Sequence, residues 1–307
     1  MTYLYIALVA QILNALVVLL DKYLIASKSV SRPMVYAFYI SALSSVTILL
    51  LLLGQTFGVI GGEYFGKILL PTMNVVRLSL AVAATQITSI LFLYKSLTRS
   101  DASDVAPVLG AVAASSSLFF GFLILGDRLK DHFLTGFLLL VIGMALMSYF
   151  RFSWRSLFNV LISGIFLGVS SVLAKTLFLE TNFIDGFFWS RIGTVLIALF
   201  FLISASNRKA ILENFVASSF RVKYLVLGNR ILAGLAFLLV FYAINLGNVS
   251  IVNAISGIQF AILFVFALIF TKKFPNYFYE SVNKKVTIAQ KVLATTLIMA
   301  GYAVLFL

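Results

Sequence analysis

Apolar residues run along the chain in blocks of helical length, broken by short polar stretches and with no sustained two-residue alternation. A helix needs roughly 20 predominantly apolar residues to cross the ~30 Å hydrocarbon core. Strands of a membrane barrel would alternate over shorter segments. The blocks predict spanning helices at Tyr3–Leu20, Pro33–Leu53, Val75–Leu97, Ser103–Leu125 and Phe133–Phe150, then a basic stretch from Arg151 to Arg155. A second set follows at Leu157–Leu179, Gly186–Ser204, Tyr224–Leu246, Val249–Thr271 and Val286–Leu307. Ser103-Asp104-Val105-Ala106-Pro107 supplies a cap, an acidic residue and a first-turn proline where a helix should start. Gly126-Asp127-Arg128 ends the same block with turn chemistry. The longest connection, Pro275–Lys285, holds no extramembrane domain. The first block is not a signal peptide, because it lacks a basic leader and carries Gln11 and Asn14 inside it.

The two sets resemble each other in order. Val18-Leu19-Leu20-Asp21-Lys22 parallels Val172-Leu173-Ala174-Lys175. Tyr94 with Asp101-Ala102-Ser103 parallels Tyr242 with Asn248-Val249-Ser250. Val105 and Gly110 match Val252 and Gly257, and Ile142-Gly143 matches Ala300-Gly301. Five spans is an odd number, so the second repeat (153–307) enters the membrane inverted relative to the first (1–152). The expected fold is therefore an all-α integral membrane bundle of ten transmembrane helices in two five-helix inverted-topology repeats. Such repeats build a cavity near the midplane that opens to opposite sides in two related conformations, the geometry of alternating access.

Composition agrees with a bilayer solvent: 62% of the 307 residues are hydrophobic and 11% charged. Soluble domains average about 25% charged. The net charge of +13 does not point to nucleic acid, because the basic residues lie between apolar spans and form no single stripe. The odd-numbered connections carry fifteen Lys and Arg residues, Lys28, Arg32, Lys272 and Lys273 among them. The even ones carry four: Lys67, Arg128, Lys130 and Lys175. The positive-inside rule then puts the odd connections in the cytoplasm and both ends outside. With no cysteine and one histidine, His132, the chain has no thiolate chemistry and no histidine metal cluster. No cofactor and no metal site are expected.

The ten-helix, two-repeat pattern resembles the EamA-type branch of the drug/metabolite transporter superfamily. Tyr94, Ser100-Asp101-Ala102-Ser103 and Pro107 resemble the family's small-residue approach to the fourth helix. Leu125-Gly126-Asp127-Arg128-Leu129 resembles its glycine-acidic helix end, and Gly136 through Gly143 its glycine-spaced fifth helix. Trp189-Ser190-Arg191 resembles the arginine within the second helix of a repeat. Two positions depart from the pattern: Thr271-Lys272-Lys273 replaces the acidic residue, and Phe38 or Tyr39 stands near the expected arginine. The resemblance implies a transporter whose cavity is lined by the first, third and fourth helices and their repeat mates.

Polar residues inside the spans are the candidate site. An ionisable side chain at a helix centre costs about 2.5–3.5 kcal/mol on insertion scales, so each needs compensation. Arg191 and Arg230 are the deepest; facing a cavity, either binds a carboxylate or phosphate through paired N–H groups. The plainer readings are snorkelling, or a structural pair with an acid such as Asp185. Lys22 and Lys175 occupy corresponding places in the repeats, as gates at opposite mouths or as interfacial anchors; Arg77 reads as an anchor. Gln11, Asn14, Gln86, Asn245, Asn253 and Gln259 are candidate substrate ligands or interhelical hydrogen-bonding groups. The paired Tyr94 and Tyr242 are candidate cavity residues, Ser115-Ser116-Ser117 reads as packing, and most of the remaining aromatics as lipid-facing or interfacial.

The expected function is secondary transport of a small metabolite, an amino acid or other anion-bearing solute, without enzymatic activity. The partners are that solute and the lipid bilayer, and a homodimer stays open. The lack of targeting segments suits a multi-pass protein of the inner cell membrane. The alternative is a membrane-embedded enzyme or flippase acting on lipid-linked substrates. The scattered acids Asp101, Asp104, Asp127 and Asp131 read better as helix-end charges than as catalysts.

Overall fold

A computed structural model of the chain describes residues 2–26, 33–58, 67–97, 99–100, 102–129, 131–148, 153–217, 220–270 and 285–306. Lys28, Arg32, Asp101, Lys130, the Arg151 end of the basic stretch, Thr271–Lys273 and most of the 275–285 connection lie outside these residues. So do the side chains of Lys22, Tyr39 and His132.

The described residues form twelve α-helices and no strand. They are α1 (Thr2–Ala26), α2 (Pro33–Thr56), α3 (Met73–Leu97), α4 (Ala102–Leu125), α5 (Asp131–Met147) and α6 (Trp154–Glu180). After these come α7 (Phe183–Leu199), α8 (Ala205–Ala217), α9 (Phe220–Leu246), α10 (Val249–Ile255), α11 (Gly257–Phe270) and α12 (Lys285–Val304). Five segments are long and apolar enough to cross a bilayer: Met73–Leu97, Asp104–Leu125, Trp154–Glu180, Phe183–Ile203 and Leu227–Leu246. That number and the outward exposure of Leu49, Leu50, Phe119, Leu123, Phe158 and Ile231 describe a multi-pass membrane protein.

Three features differ from the sequence expectation. The block from Val249 is two helices, broken at Ser256, whose N–H bonds the Asn253 carbonyl three residues back. Gly257 follows against Met144, leaving no room there for a larger residue. Pro107 lies inside α4 and not in its first turn, because the helix starts at Ala102. The connection holding Arg208 and Lys209 contains a helix of its own, α8.

Helices in lipid gain nothing from hiding apolar surface from one another, so small residues and interhelical hydrogen bonds must draw them together. Helix α6 does this on two faces. Toward α3 it presents Ser156, Ser163 and Ser170, seven residues apart. Ser156 Oγ pairs with Ser96 Oγ at 2.7 Å, Ser163 Oγ donates to the Ser89 carbonyl at 2.7 Å, and Ser170 Oγ donates to the Val82 carbonyl at 3.2 Å. Each pair of positions sums to the same number, the register of two antiparallel helices meeting every second turn. Toward α4, α6 presents Gly164 and Gly168: a Cβ on Gly168 would stand 2.6 Å from the Ala113 carbonyl oxygen. Ser116 Oγ closes that seam on the Ile165 carbonyl at 3.0 Å, while Ser115 and Ser117 bond carbonyls of their own helix.

Helices α5 and α12 meet through Gly136, Gly143 and Gly301, again backbone against backbone. Gln290 of α12 donates to the Leu146 and Ser148 carbonyls at the end of α5. Helix α1 packs along α9, α7 lies on α3 and α2, and α10 lies on α4.

A Cβ at Gly143 would meet Ile298 Cγ1 at 2.7 Å and the Ala294 carbonyl oxygen at 3.0 Å. Gly143→Val should therefore destabilise the bundle by about 1–3 kcal/mol, the usual cost of overpacking, read as a lower melting temperature in detergent. Gly234→Ala, at a site with nothing within 4 Å, should leave the melting temperature unchanged or slightly raised.

Candidate functional site

Phe183, Phe187 and Arg191 follow one another at four-residue intervals on α7, so they share a face. Phe237 and Phe241 do the same on α9. The two faces meet. The Arg191 guanidinium carbon stands 4.5 Å from the Phe237 ring centroid, 5.3 Å from that of Phe187 and 5.5 Å from that of Phe241. The remaining contacts are hydrogen bonds: Nη2 donates to Gln86 Oε1 of α3 at 3.2 Å, and Nε donates to Ser190 Oγ at 3.3 Å. Arg191 is 5% exposed, so this cation is enclosed by α3, α7 and α9, and its partners among the described residues are neutral.

Asp185 is not its counter-ion. That carboxylate accepts the Leu69 N–H at 3.1 Å, while Trp189 Nε1 donates to the Leu69 carbonyl and Asn182 Nδ2 to the Lys67 carbonyl. These bonds fasten the segment ahead of α3 to the start of α7. The Asn182 side chain also caps α7 by accepting the Asp185 N–H at 3.0 Å.

The rings around Arg191 are exceptions to the mostly lipid-facing or interfacial placement expected of the aromatics. Phe187 is fully buried, and Phe241 and Phe178 nearly so. Phe183 stacks on Phe187 at 5.7 Å and touches Phe178 at 5.3 Å and Tyr242 at 5.0 Å. These rings continue the wall from Arg191 toward the ends of α6 and α9.

Other candidates fall into smaller groups. Asn14 Nδ2 donates to Gln11 Oε1 at 3.2 Å on α1, with Gln11 buried. Asn253, in the last turn of α10, accepts from Ser171 Oγ at 3.5 Å, and its buried Nδ2 has no hydrogen-bond partner among the described residues. Gln259 and Tyr94 are half-buried, as is Arg230, two turns before Phe237 on the same face of α9. Tyr242 is exposed on one side, and Arg77 is exposed, as an anchor should be. Lys22 lies in α1, with its side chain outside the described residues.

Lys175 anchors a second polar cluster. Its Nζ donates to the Asn245 carbonyl at 2.6 Å and the Gly247 carbonyl at 3.3 Å. A cation thus caps the C-terminal carbonyls of α9, where the helix dipole favours it. The Asn245 side chain is half-buried beside its own carbonyl's bond. Asn248 caps α10 through Oδ1 and donates from Nδ2 to Asp127 Oδ2 at 3.3 Å. The Tyr3 ring of α1 covers Gly247 closely enough to forbid a side chain there. Five elements are fastened at this end of the bundle: α1, the α4–α5 connection, α6, α9 and α10.

Burial raises the Asp127 carboxyl above the ordinary carboxylate range, against the opposing pull of Lys175. A raised folded-state pKa means the folded chain binds this proton more tightly than the unfolded chain, so the contribution favours folding as pH falls. Lowering the pH from neutral toward the ordinary carboxylate range should raise the wild-type melting temperature relative to Asp127→Asn. The shortfall of the wild type against Asp127→Asn should be largest above the raised pKa and close as the carboxyl protonates.

No known family pattern and no characterised protein matches the sequence. The fold does have solved counterparts: one crystal structure superposes with a TM-score of 0.62, over 99% of this chain and 97% of its own, at 16% sequence identity. The chain therefore shares a whole-length fold with a solved protein.

Proposed function

We propose that the protein is a secondary transporter that moves a small anion-bearing solute across a membrane by alternating access, on ten spans arranged as two inverted five-helix repeats. The spans of the first repeat are α1 to α5. Those of the second are α6, α7, α9, the broken pair α10–α11, and α12. The reading resembles the EamA-type drug/metabolite transporters and places the chain in an inner cell membrane.

The observation that carries it is the way helix packing behaves when the halves are exchanged. The α3–α6 seam becomes α9–α1, and both are long contacts. The α4–α6 seam becomes α10–α11 against α1, while α5–α12, α4–α10 and α2–α7 map onto themselves. The widest inequality among the described residues is that α7 lies close on α3, with Gly193 against the Ser79 backbone, whereas α2 and α9 barely meet; α6 also lies closer on α4 than α1 does on α10 and α11. A bundle whose halves are equivalent in plan but unequal in closure has a second state of similar energy, with the inequality reversed.

Arg191 supports the class of solute. A guanidinium inside a membrane bundle is costly unless paired, and its contacts among the described residues are neutral. A carboxylate or phosphate on the solute completes it. Translocation then needs no chemistry on the solute, only rocking of the halves around it.

Counterflow into proteoliposomes, against labelled carboxylates, sugars, nucleotides and phosphorylated metabolites, tests this directly. Accumulation of an anionic class is expected, falling roughly tenfold or more in Arg191→Ala, since hydrogen bonds to charged groups are strong. Folded protein that accumulates none of these solutes would remove the transport reading.

A further inference from the structure

We propose that the Arg191 site selects a monocarboxylate carried on an apolar body, and discriminates against phosphate esters and neutral isosteres. This deepens the reading of the protein as a carrier of anion-bearing solutes and rests on it.

The donors come first. A guanidinium presents five N–H groups in a planar fork. Here hydrogen bonds run from two of its nitrogens, Nη2 to Gln86 and Nε to Ser190. Phenyl faces attract the cation as a whole, but they do not accept its individual N–H bonds as a carboxylate does. Two parallel bonds to a carboxylate fit the fork.

Charge fixes which anion. One guanidinium cancels one negative charge. A carboxylate leaves the site neutral, whereas a phosphate ester, at about −1.5 to −2, leaves net charge among Phe187, Phe237 and Phe241, where desolvation penalises it. Arg230 does not make up the difference. It precedes Phe237 by seven residues, about 10 Å along α9, and helical side chains lean toward the N-terminus, away from that ring.

The walls fix the body. The rings of Phe237 and Phe241 stand 4.2 Å apart, and Phe178 joins Phe241 at 5.7 Å. Such faces accept no hydrogen bond from a sugar hydroxyl, which would lose its water uncompensated on that side, and the attraction of an ammonium to a ring face is opposed there by the charge of Arg191. An arene or alkyl chain loses nothing there. The acid can arrive from the water as an aryl carboxylate or from the bilayer as a fatty acid, with the same chemistry at Arg191.

Calorimetric binding to the detergent-purified full chain, near neutral pH, separates these ligands. Phenylacetate and octanoate represent the aqueous and bilayer sources; phenylacetamide removes the charge, and phenyl phosphate doubles it. Phenylacetate or octanoate should bind roughly tenfold or more tightly than the amide and the phosphate. Octanoate ahead of phenylacetate assigns the site to bilayer-derived acids, and the reverse order to aqueous ones. Arg191→Gln should make phenylacetate and phenylacetamide equivalent; if that variant does not fold, the ligand series on the unmodified protein still decides. Phenyl phosphate or the amide binding as tightly as the carboxylates, or none of the four binding, overturns the proposal. Counterflow of another solute alongside such a failure keeps the carrier and removes this site. Carboxylate-selective binding without counterflow of those acids keeps the site and removes the carrier.

Discussion

Inside a bilayer, helices gain little by hiding apolar side chains, since lipid receives them as well as a neighbouring helix does. What remains is close approach, and most of this architecture follows from α6 allowing it on two sides. Serine hydroxyls seven residues apart reach α3 main-chain and side-chain oxygens, and two glycines admit the backbone of α4. With α3 and α4 held against α6, α7 follows onto α3, bringing Arg191 to Gln86. The glycine contact of α5 with α12 and the length of α1 along α9 complete the frame. Many large aliphatic and aromatic side chains, Leu49, Phe119 and Phe158 among them, are left to the outside, where lipid takes them.

Within that frame Arg191 is an exception to economy. The described residues that touch it are uncharged: its fork is held by an amide oxygen, a hydroxyl and three ring faces. Lys175 shows the contrast. It too sits in a span, but its ammonium ends on helix carbonyls with Asp127 nearby, so its charge is already used in joining α6 to α9. One cation joins helix ends; the other is held by neutral groups alone among the described residues.

The all-helical, multi-pass character could be read from the apolar blocks because span length is set by bilayer thickness and needs no tertiary information. The arginine in α7 was legible for a related reason: a charge in a span stands out against its cost. Its surroundings were harder to foresee. The four-residue spacing of Phe183, Phe187 and Arg191 says that they share a face, but not that the face turns inward, since lipid-facing phenylalanines repeat in the same way. The heptad spacing of Ser156, Ser163 and Ser170 was present in the sequence, yet its meaning lay in the matching spacing on α3, and pairing between helices has no local signal. The break at Ser256 was hidden because the residues on both sides are as apolar as a continuous helix. Asp185 was a reasonable partner for Arg191 by proximity along α7; the unforeseen competitor was the Leu69 backbone.

The central claim is that one set of interior residues faces one side of the membrane and then the other. The chain has no cysteine, so a single thiol reports without background. Gln86→Cys, at the face of α3 that meets Arg191, would be challenged in sealed, oriented vesicles with a membrane-impermeant thiol reagent, added outside in one experiment and inside in another. The account predicts modification from each side, with a transported solute slowing or redistributing it, and with Phe57→Cys as the exposed control. Modification from one side only, whatever solute is present, would contradict it.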